Sequence, residues 1–119
     1  MILTIKATHI ERSPRILDRI EKVCAKLEKF APKADPDELV VKIEVGRITR
    51  HHRKGSVYRA EINVTLGKMY VRARAAGGDV VSALDEAQGE IERRLLKEKK
   101  RTVSIKHREG VRMKRANHA

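Results

Sequence analysis

Residues 67–87, GKMYVRARAAGGDVVSALDEA, contain the change of pattern that decides the fold. Polar and apolar side chains alternate through MYVRARA, which is the two-residue period of a β-strand with one buried face. Gly77, Gly78 and Asp79 end this alternation, and an aspartate at such a point is suited to cap a helix. The outward side chains of the strand are Tyr70, Arg72 and Arg74. The stretch therefore predicts a basic strand joined closely to a helix.

The residues before this stretch predict the rest of a sheet. SVYRAEINVTL, residues 56–66, alternates in the same way, and Gly67-Lys68 is short enough to close an antiparallel hairpin. ELVVKIEVGRI, residues 38–48, and ILTIKA, residues 2–7, are two further alternating segments. Four strands are thus predicted, each with one apolar side. The apolar positions are Leu3, Ile5, Ala7, Leu39, Val41, Ile43, Val45, Tyr58, Ala60, Ile62, Val64 and Leu66.

Two segments have helical periodicity instead. The first spans about residues 13–31, with Ser13 as the N-cap and Pro14 at the first helical position, where a missing N–H costs nothing. The second begins at Asp79 and is expected to end near residue 100. The predicted inward residues are Ile16, Leu17, Ile20, Val23, Cys24, Leu27 and Phe30 in the first helix and Val80, Leu84, Ala87, Ile91 and Leu95 in the second.

The order strand, helix, three strands, helix predicts an α+β fold. Each strand has only one apolar side, so both helices must cover the same face of the sheet. We therefore expect a two-layer β-α-β-β-β-α sandwich, a four-stranded sheet with two helices on one face. Residues 1–101 are expected to form this domain, and residues 102–119 a basic, mobile C-terminal tail. Gly77 and Gly78 are expected to adopt backbone conformations that other residues avoid, where the strand turns onto the helix.

The composition indicates a polyanionic partner. The 119-residue chain has 28 Lys and Arg against 16 Asp and Glu, a formal net charge of +12 and a pI near 10.3. Such a field attracts nucleic acid foremost and anionic membrane surfaces next. No apolar run has bilayer length and the start, MILTIKATHIERS, lacks a secretory pattern, so a cytoplasmic protein without a membrane partner is predicted. Cys24, the single cysteine, allows no intramolecular disulfide and is expected to be a core residue.

Most of the charge lies late in the chain. Residues 93–119 contain eleven Lys or Arg against two Glu, a net charge of +9, which leaves +3 for the first 92 residues. The helix macrodipole favours basic residues at a helix C-terminus but explains only part of this polarity. The tail TVSIKHREGVRMKRANHA lacks sustained periodicity and is typical of an extension that tracks a phosphate backbone. The connector RHHRKG adds a second basic cluster, in which His51 and His52 lack the ligand spacing of a metal site.

The motifs of common enzymes are missing from the sequence. It contains no glycine-rich phosphate loop, nucleophile elbow or zinc-hydrolase helix. We therefore predict no enzyme, cofactor, metal or small-molecule substrate. The aromatic residues are Phe30, Tyr58 and Tyr70, and only Tyr70 has a position suited to stacking on a base. Recognition is expected to rest on backbone charge and shape, with low sequence specificity.

Four stretches carry a resemblance to a known family. They are LTIKATHIE with the later KLEKF, then YRAEINV, GGDVVSALDEA and IERRLLKEKK, together covering about residues 1–101. Their order and spacing resemble the ribosome hibernation-promoting factors, also called ribosome-associated inhibitors or sigma-54 modulation proteins. The resemblance implies a fold similar to double-stranded RNA-binding domains. It also implies a bacterial factor that binds the small ribosomal subunit and its rRNA in the decoding channel, in 70S or 100S ribosomes, and blocks mRNA and tRNA access under stress or in stationary phase.

The resemblance also implies site residues. The family's basic positions match at Lys26 on the first helix and at Arg93, Lys97 and Lys99 on the second, whereas Glu90 stands where lysine is common. The length resembles the short members, which lack the second domain of long ones. The RNA-binding residues that we predict from charge and resemblance together are Lys26, Arg50, Arg53, Lys54, Arg72, Arg74, Arg93, Arg94, Lys97, Lys99, Lys100 and Arg101.

Two other functions use the same residues. A general double-stranded RNA-binding protein would bind arbitrary duplexes with comparable affinity and would compete little with messenger or transfer RNA. A protein-binding transcription regulator would dock a protein on the open sheet face or an edge strand, and its binding would survive nuclease and high salt. Many phosphate contacts predict a steep salt dependence, which separates RNA binding from the last alternative.

Overall fold

The computed structural model describes residues 1–31, 37–48 and 57–118. The predicted order of elements is confirmed, and each predicted strand agrees with the observed one to within two residues at either end. The elements are β1 (Ile2–Thr8), α1 (Pro14–Glu28), β2 (Leu39–Ile48), β3 (Val57–Leu66), β4 (Met69–Gly77) and α2 (Val80–His118).

The four strands form one sheet in the order β1-β2-β3-β4. β1 and β2 are parallel because the chain crosses over through α1, and the remaining pairs are antiparallel. The predicted hairpin is confirmed, with Leu66 opposite Met69 and Gly67-Lys68 as the loop. Gly67 has a φ of 59°, a region that glycine enters without steric cost.

Both helices pack on the same face of the sheet. α2 lies over β3 and β4, and α1 lies over β2 and against α2. This confirms the predicted two-layer α+β sandwich, because no helix of the described residues lies on the second sheet face. Leu3 is 36% exposed, so β1 contributes less to the core than the other strands. The buried apolar residues are Ile20, Val23, Cys24, Leu27, Leu39, Val41, Ile43, Val45, Ala60, Ile62, Val64, Val71, Ala73, Val80, Ala83, Leu84, Ala87, Ile91 and Leu95.

Cys24 is one of these core residues, as predicted. Burial raises the pKa of its thiol to about 11, and the nearby carboxylates of Glu28 and Glu21 add to the effect. The thiol is therefore protonated at neutral pH, and a protonated thiol is a poor nucleophile. Cys24 acts as a small apolar side chain between α1 and the sheet.

Both helices begin at the caps that the sequence predicts. The Ser13 hydroxyl accepts a hydrogen bond from the Ile16 N–H at 3.3 Å. The Asp79 carboxylate accepts one from the Ser82 N–H at 2.7 Å and one from the Ser82 hydroxyl at 3.2 Å. The backbone hydrogen bond lowers the pKa of Asp79 below its ordinary value, because it is made to the charged carboxylate.

The expectation for the two glycines before α2 is wrong. Neither Gly77 nor Gly78 has a positive φ; within the described residues that conformation occurs at His9 and Gly67. A Cβ at Gly77 would lie 3.4 Å from the Ala83 nitrogen, an ordinary contact, and a Cβ at Gly78 would lie in open space. The chain thus passes from β4 to α2 without a backbone conformation reserved for glycine.

The predicted end of α2 near residue 100 is also wrong. The backbone stays helical to His118, which makes α2 39 residues long. The sequence after Leu95 has no sustained apolar periodicity, so it gives no signal of a helix. Lys, Arg and Glu are good helix formers, and no proline follows residue 36. Residues 102–118 therefore continue the helix, and the mobility of this segment stays a prediction.

Candidate nucleic-acid interface

Charge on α1 is divided between two flanks. Five basic residues recur at intervals of four and three residues, which places them along one side of a helix. We call this side the basic flank of α1; it consists of Arg15, Arg19, Lys22, Lys26 and Lys29. Glu21 and Glu28 fall on the opposite flank by the same spacing, whereas Asp18 lies beside the basic residues. α1 therefore presents one side of positive potential and one of negative potential.

Contacts with α2 fix the direction of the basic flank. Arg19 forms an ion pair with Asp85 and donates a hydrogen bond to the Gln88 side-chain oxygen at 3.3 Å. Gln88 is 4% exposed and in turn donates to Glu92 at 3.1 Å. The basic flank thus borders α2, beside a groove of about 280 Å³ lined by Arg15, Asp18, Arg19, Lys22 and Val81.

The second half of α2 presents further basic residues away from the sheet. Arg93, Lys97 and Lys100 are exposed and share one side of the helix, at intervals of four and three residues. We call them the outer face of α2. Arg93 pairs with Glu90 at 2.6 Å, whereas Lys97 and Lys100 have no ion-pair partner within the described residues. The outer face of α2 and the basic flank of α1 together form what we call the helical face.

Three predicted residues on α2 also make contacts within the fold. The Lys99 ammonium lies 5.9 Å from the centre of the Phe30 ring, within the range of a cation–π interaction. Arg94 pairs with Glu90 at 3.0 Å and donates a hydrogen bond to the backbone oxygen of Arg72. The side chains of Arg93 and Arg94 together lower the pKa of Glu90 by hydrogen bonding to its charged form.

Arg101 also makes a contact within the fold, since it lies 3.8 Å from Glu98, one turn away on the same helix. Lys26 stands four residues before Phe30, which lies just after α1, so it lies near the end of α1 that approaches Lys99. The structure therefore places Lys26 of α1 on the same side of the sheet as the predicted residues of α2, of which Arg94 also reaches the edge strand β4.

Arg72 and Arg74 lie on the other side, on the open sheet face. Both pair with Glu61, Arg74 at 3.7 Å, and Arg59 pairs with Glu44 at 2.9 Å. The two glutamates thus neutralise much of the charge of these arginines. Tyr70 is 58% exposed there, as the sequence predicts, and its hydroxyl donates to the Asn63 side-chain oxygen at 2.8 Å.

The predicted site residues therefore divide between two faces, with a third group undescribed. Arg50, Arg53 and Lys54, together with His51 and His52, lie outside the described residues. Four members of the basic flank, Arg15, Arg19, Lys22 and Lys29, were not predicted from the sequence, although their spacing of three and four residues could have identified them.

Within the described ranges, no three His, Cys, Asp or Glu side chains come together in a way that would hold a metal ion. No helix in this part of the chain is both long enough and apolar enough to span a bilayer.

Two solved structures share this fold. The N-terminal domain of Thermus thermophilus Protein Y is 24% identical, with a TM-score of 0.64 over 80% of this chain and 96% of that one. A ribosomal subunit interface protein from Coxiella burnetii is 20% identical, with a TM-score of 0.63 over 83% of this chain and 98% of that one. No curated protein matches the chain.

A family model shows to which family the chain belongs. The model described as Sigma 54 modulation protein / S30EA ribosomal protein matches residues 3–103, which include the part of α2 that packs on the sheet and all four strands except Ile2 of β1. The chain therefore belongs to the Sigma 54 modulation protein / S30EA ribosomal protein family, a family of ribosome-associated proteins.

Proposed function

We propose that this protein binds the small ribosomal subunit through its helical face, occupies the decoding channel and thereby excludes mRNA and tRNA. Membership in a ribosome-associated family supports a ribosomal partner. In this proposal the protein silences 70S or 100S ribosomes under stress or in stationary phase. It catalyses no reaction, and inhibition results from steric exclusion.

The segregation of charge on the helical face is the observation that carries the proposal. Phosphate groups favour a surface where cations outnumber anions over a continuous area, because each contact releases a counterion from the RNA. The basic flank of α1 has five cations beside Asp18, while Glu21 and Glu28 lie on the far side of the helix. The outer face of α2 adds Lys97 and Lys100, which have no ion-pair partner within the part of the chain described. This face is therefore the region of the described domain best suited to phosphate contacts.

The two helices hold these cations in fixed relative positions. Arg19, Asp85 and Gln88 join the middle of α1 to the first half of α2. Farther along, the stacking of Lys99 on Phe30 joins the end of α1 to the second half of α2. A preorganised array loses less side-chain entropy on binding than a flexible one. The helical face therefore offers a fixed shape as well as a charge.

Other predicted residues have smaller roles in this proposal. Arg72 and Arg74 contact RNA at the margin, because Glu61 already pairs with both. Arg94 and Arg101 lie between the two faces and contribute charge more than direct contacts. Arg50, Arg53 and Lys54 supply phosphate contacts from the connector between β2 and β3. Residues 102–119 extend the positive potential beyond the domain.

Co-sedimentation with ribosomal particles tests the proposal. The purified chain is mixed with small subunits, large subunits or whole ribosomes over a salt series, with and without mRNA and initiator tRNA. We expect stoichiometric binding to small subunits, weakening steeply with salt and lost when the two RNAs are added. Equal binding to both subunits, or binding that persists in the presence of mRNA and tRNA, would overturn occupation of the decoding channel.

General binding of double-stranded RNA is the second candidate function. The stripe of cations along α1 favours it, because a row spaced at about one helical turn can follow a phosphate backbone without reading sequence. This candidate predicts that an arbitrary RNA duplex competes with small subunits at equal phosphate concentration. Under the first proposal such a duplex competes weakly, since the shape of the channel contributes to affinity.

A further inference from the structure

The two outer edges of the sheet each receive a hydrogen bond from an arginine side chain. In the β3–β4 hairpin, Leu66 and Met69 flank a two-residue loop, so they form a hydrogen-bonded pair, and such pairs alternate with non-bonded ones. Arg72, opposite Asn63, therefore belongs to a non-bonded pair, and its carbonyl points away from β3. This carbonyl is the one that accepts a hydrogen bond from Arg94.

The same alternation extends through the sheet to β1. Given the registers of β3 with β2 and of β2 with β1, the backbone N–H and C=O groups of Leu3, Ile5 and Ala7 point away from β2, toward the free edge of β1. Arg12, in the segment that follows β1, donates a hydrogen bond to the Ile5 carbonyl at 2.8 Å. Each free edge thus has a guanidinium group bound to a carbonyl near the middle of its strand.

An unprotected edge strand is a template for pairing with another chain. A strand that adds to the edge must form bonds to the outward carbonyls, and a charged donor already bound to one of them blocks that position. The two edges differ in what else protects them. β4 carries Arg72 and Arg74 on its open side, which would repel a second β4, whereas β1 has the sequence ILTIKAT, with one charge and with Ile2 45% exposed.

We propose that Arg12 and Arg94 close the two edges of the sheet against strand pairing with a second copy of the chain, and that Arg12 has the larger effect. This role is separate from RNA binding, so it stands whether or not the ribosomal proposal is correct. It also assigns Arg94 to the sheet edge, although the sequence places it among RNA-binding residues. A substitution of Arg94 should accordingly change self-association more than RNA affinity.

Sedimentation velocity over a wide range of protein concentration tests this role. Arg12→Gln is compared with Arg15→Gln, which removes the same charge nearby from a residue with no described bond to a strand. Arg94→Gln is compared with Arg93→Gln, because both residues pair with Glu90 and only Arg94 reaches the strand. Circular dichroism establishes that each variant is folded. If Arg12→Gln does not fold, Arg12→Lys, which keeps a donor of shorter reach, takes its place.

We expect Arg12→Gln to strengthen self-association roughly tenfold over the wild type, the factor that corresponds to one charged hydrogen bond. Arg12→Lys should have a smaller effect in the same direction, and Arg94→Gln should have less effect than Arg12→Gln. A synthetic peptide of sequence ILTIKAT should bind the Arg12 variant and not the wild type. Self-association of Arg12→Gln equal to that of Arg15→Gln, with no binding of the peptide, would overturn the proposal.

Discussion

The helical face and the open sheet face both contain several Lys and Arg residues, yet their electrostatic character differs. On the sheet, Glu61 pairs with Arg72 and Arg74, and Glu44 pairs with Arg59. On α1, the basic residues share one flank with Asp18, while Glu21 and Glu28 lie on the opposite flank. Because neighbouring carboxylates compensate the arginines of the sheet, its face attracts a polyanion less strongly. The arrangement of charge, more than the number of charges, distinguishes the two faces.

Surface potential depends on how charges are paired as well as on how many there are. The ion pairs of Arg72 and Arg74 with Glu61 reduce the potential that a phosphate group would experience at the sheet. The opening strand MYVRARA is thus less basic in the fold than in the sequence, because Glu61 pairs with both of its arginines. The α1 helix has three acidic residues among its basic ones, yet it has one strongly basic flank.

Charge reversal should give the largest difference in small-subunit affinity between variants of the two faces. The triple variant Arg93→Glu, Lys97→Glu, Lys100→Glu should weaken small-subunit binding by about 100-fold near 0.1 M salt and reduce the slope of log affinity against log salt by roughly 2–3. The matched control Lys6→Glu, Lys42→Glu, Lys68→Glu changes the net charge equally at exposed positions of the sheet and its hairpin. Equal losses for the two triples would show that overall charge, not the helical face, determines binding.

Removal of two cations from the basic flank of α1 should have a smaller effect. We expect Lys22→Ala with Lys26→Ala to weaken binding by about tenfold and to lower the salt slope by roughly 1–2. The control removes the same charge with Lys6→Ala and Lys42→Ala. Both pairs are exposed, so thermal stability should hardly change. Unchanged affinity of the α1 variant would remove that helix from the interface.

Removal of the Glu61 carboxylate from the sheet face should raise the affinity for RNA, whereas the two preceding variants lower it. Glu61→Gln leaves Arg72 and Arg74 without their carboxylate, which makes the sheet face more positive. We expect affinity for an arbitrary RNA duplex to rise by roughly two- to threefold, with a smaller gain for small subunits. Filter binding at two salt concentrations measures both. A loss of affinity would mean that Glu61 positions the arginines for RNA rather than masking them.

Loss of the Asp79 cap should lower the stability of the protein and leave the basic residues of both faces in place. Asp79→Ala removes the acceptor for the Ser82 N–H, so the melting temperature should fall at neutral pH. The pKa of Asp79 is lowered in the folded state, so its contribution is present above the ordinary value of 3.8 and is lost as the pH falls through the folded-state pKa. The melting curves of the variant and the wild type should therefore converge below about pH 4. RNA affinity at neutral pH should not change.

Local signals in the sequence account for what could be predicted. The hairpin, the caps Ser13 and Asp79 and the apolar faces follow from residue types at fixed spacing, and the structure confirms them. The end of α2 could not be predicted in this way, because its last part has neither an apolar stripe nor a stop signal. Gly77 and Gly78 suggested a special backbone where none is present, since glycine permits such conformations without requiring them.

The candidate site was only partly accessible from the sequence. The net charge of residues 93–119 indicates the second half of α2 as basic. The net charge of α1 is small because acidic residues stand between the basic ones, so its basic flank does not show in the net charge. The pairing of Arg74 with Glu61 depends on strand register, which places these two residues directly opposite each other. That register follows from the position of the hairpin loop, so the neutralisation of the sheet face was predictable in principle.

Lysine footprinting compares the two faces directly in one unmodified protein. Lysines are acylated in the free chain and in its complex with small subunits, and mass spectrometry measures the protection of each one. If the helical face binds the small subunit, Lys22, Lys26, Lys97 and Lys100 become strongly protected, while Lys6, Lys42 and Lys68 stay reactive. Protection of the sheet lysines with continued reactivity of those on the helical face would contradict binding through the helical face.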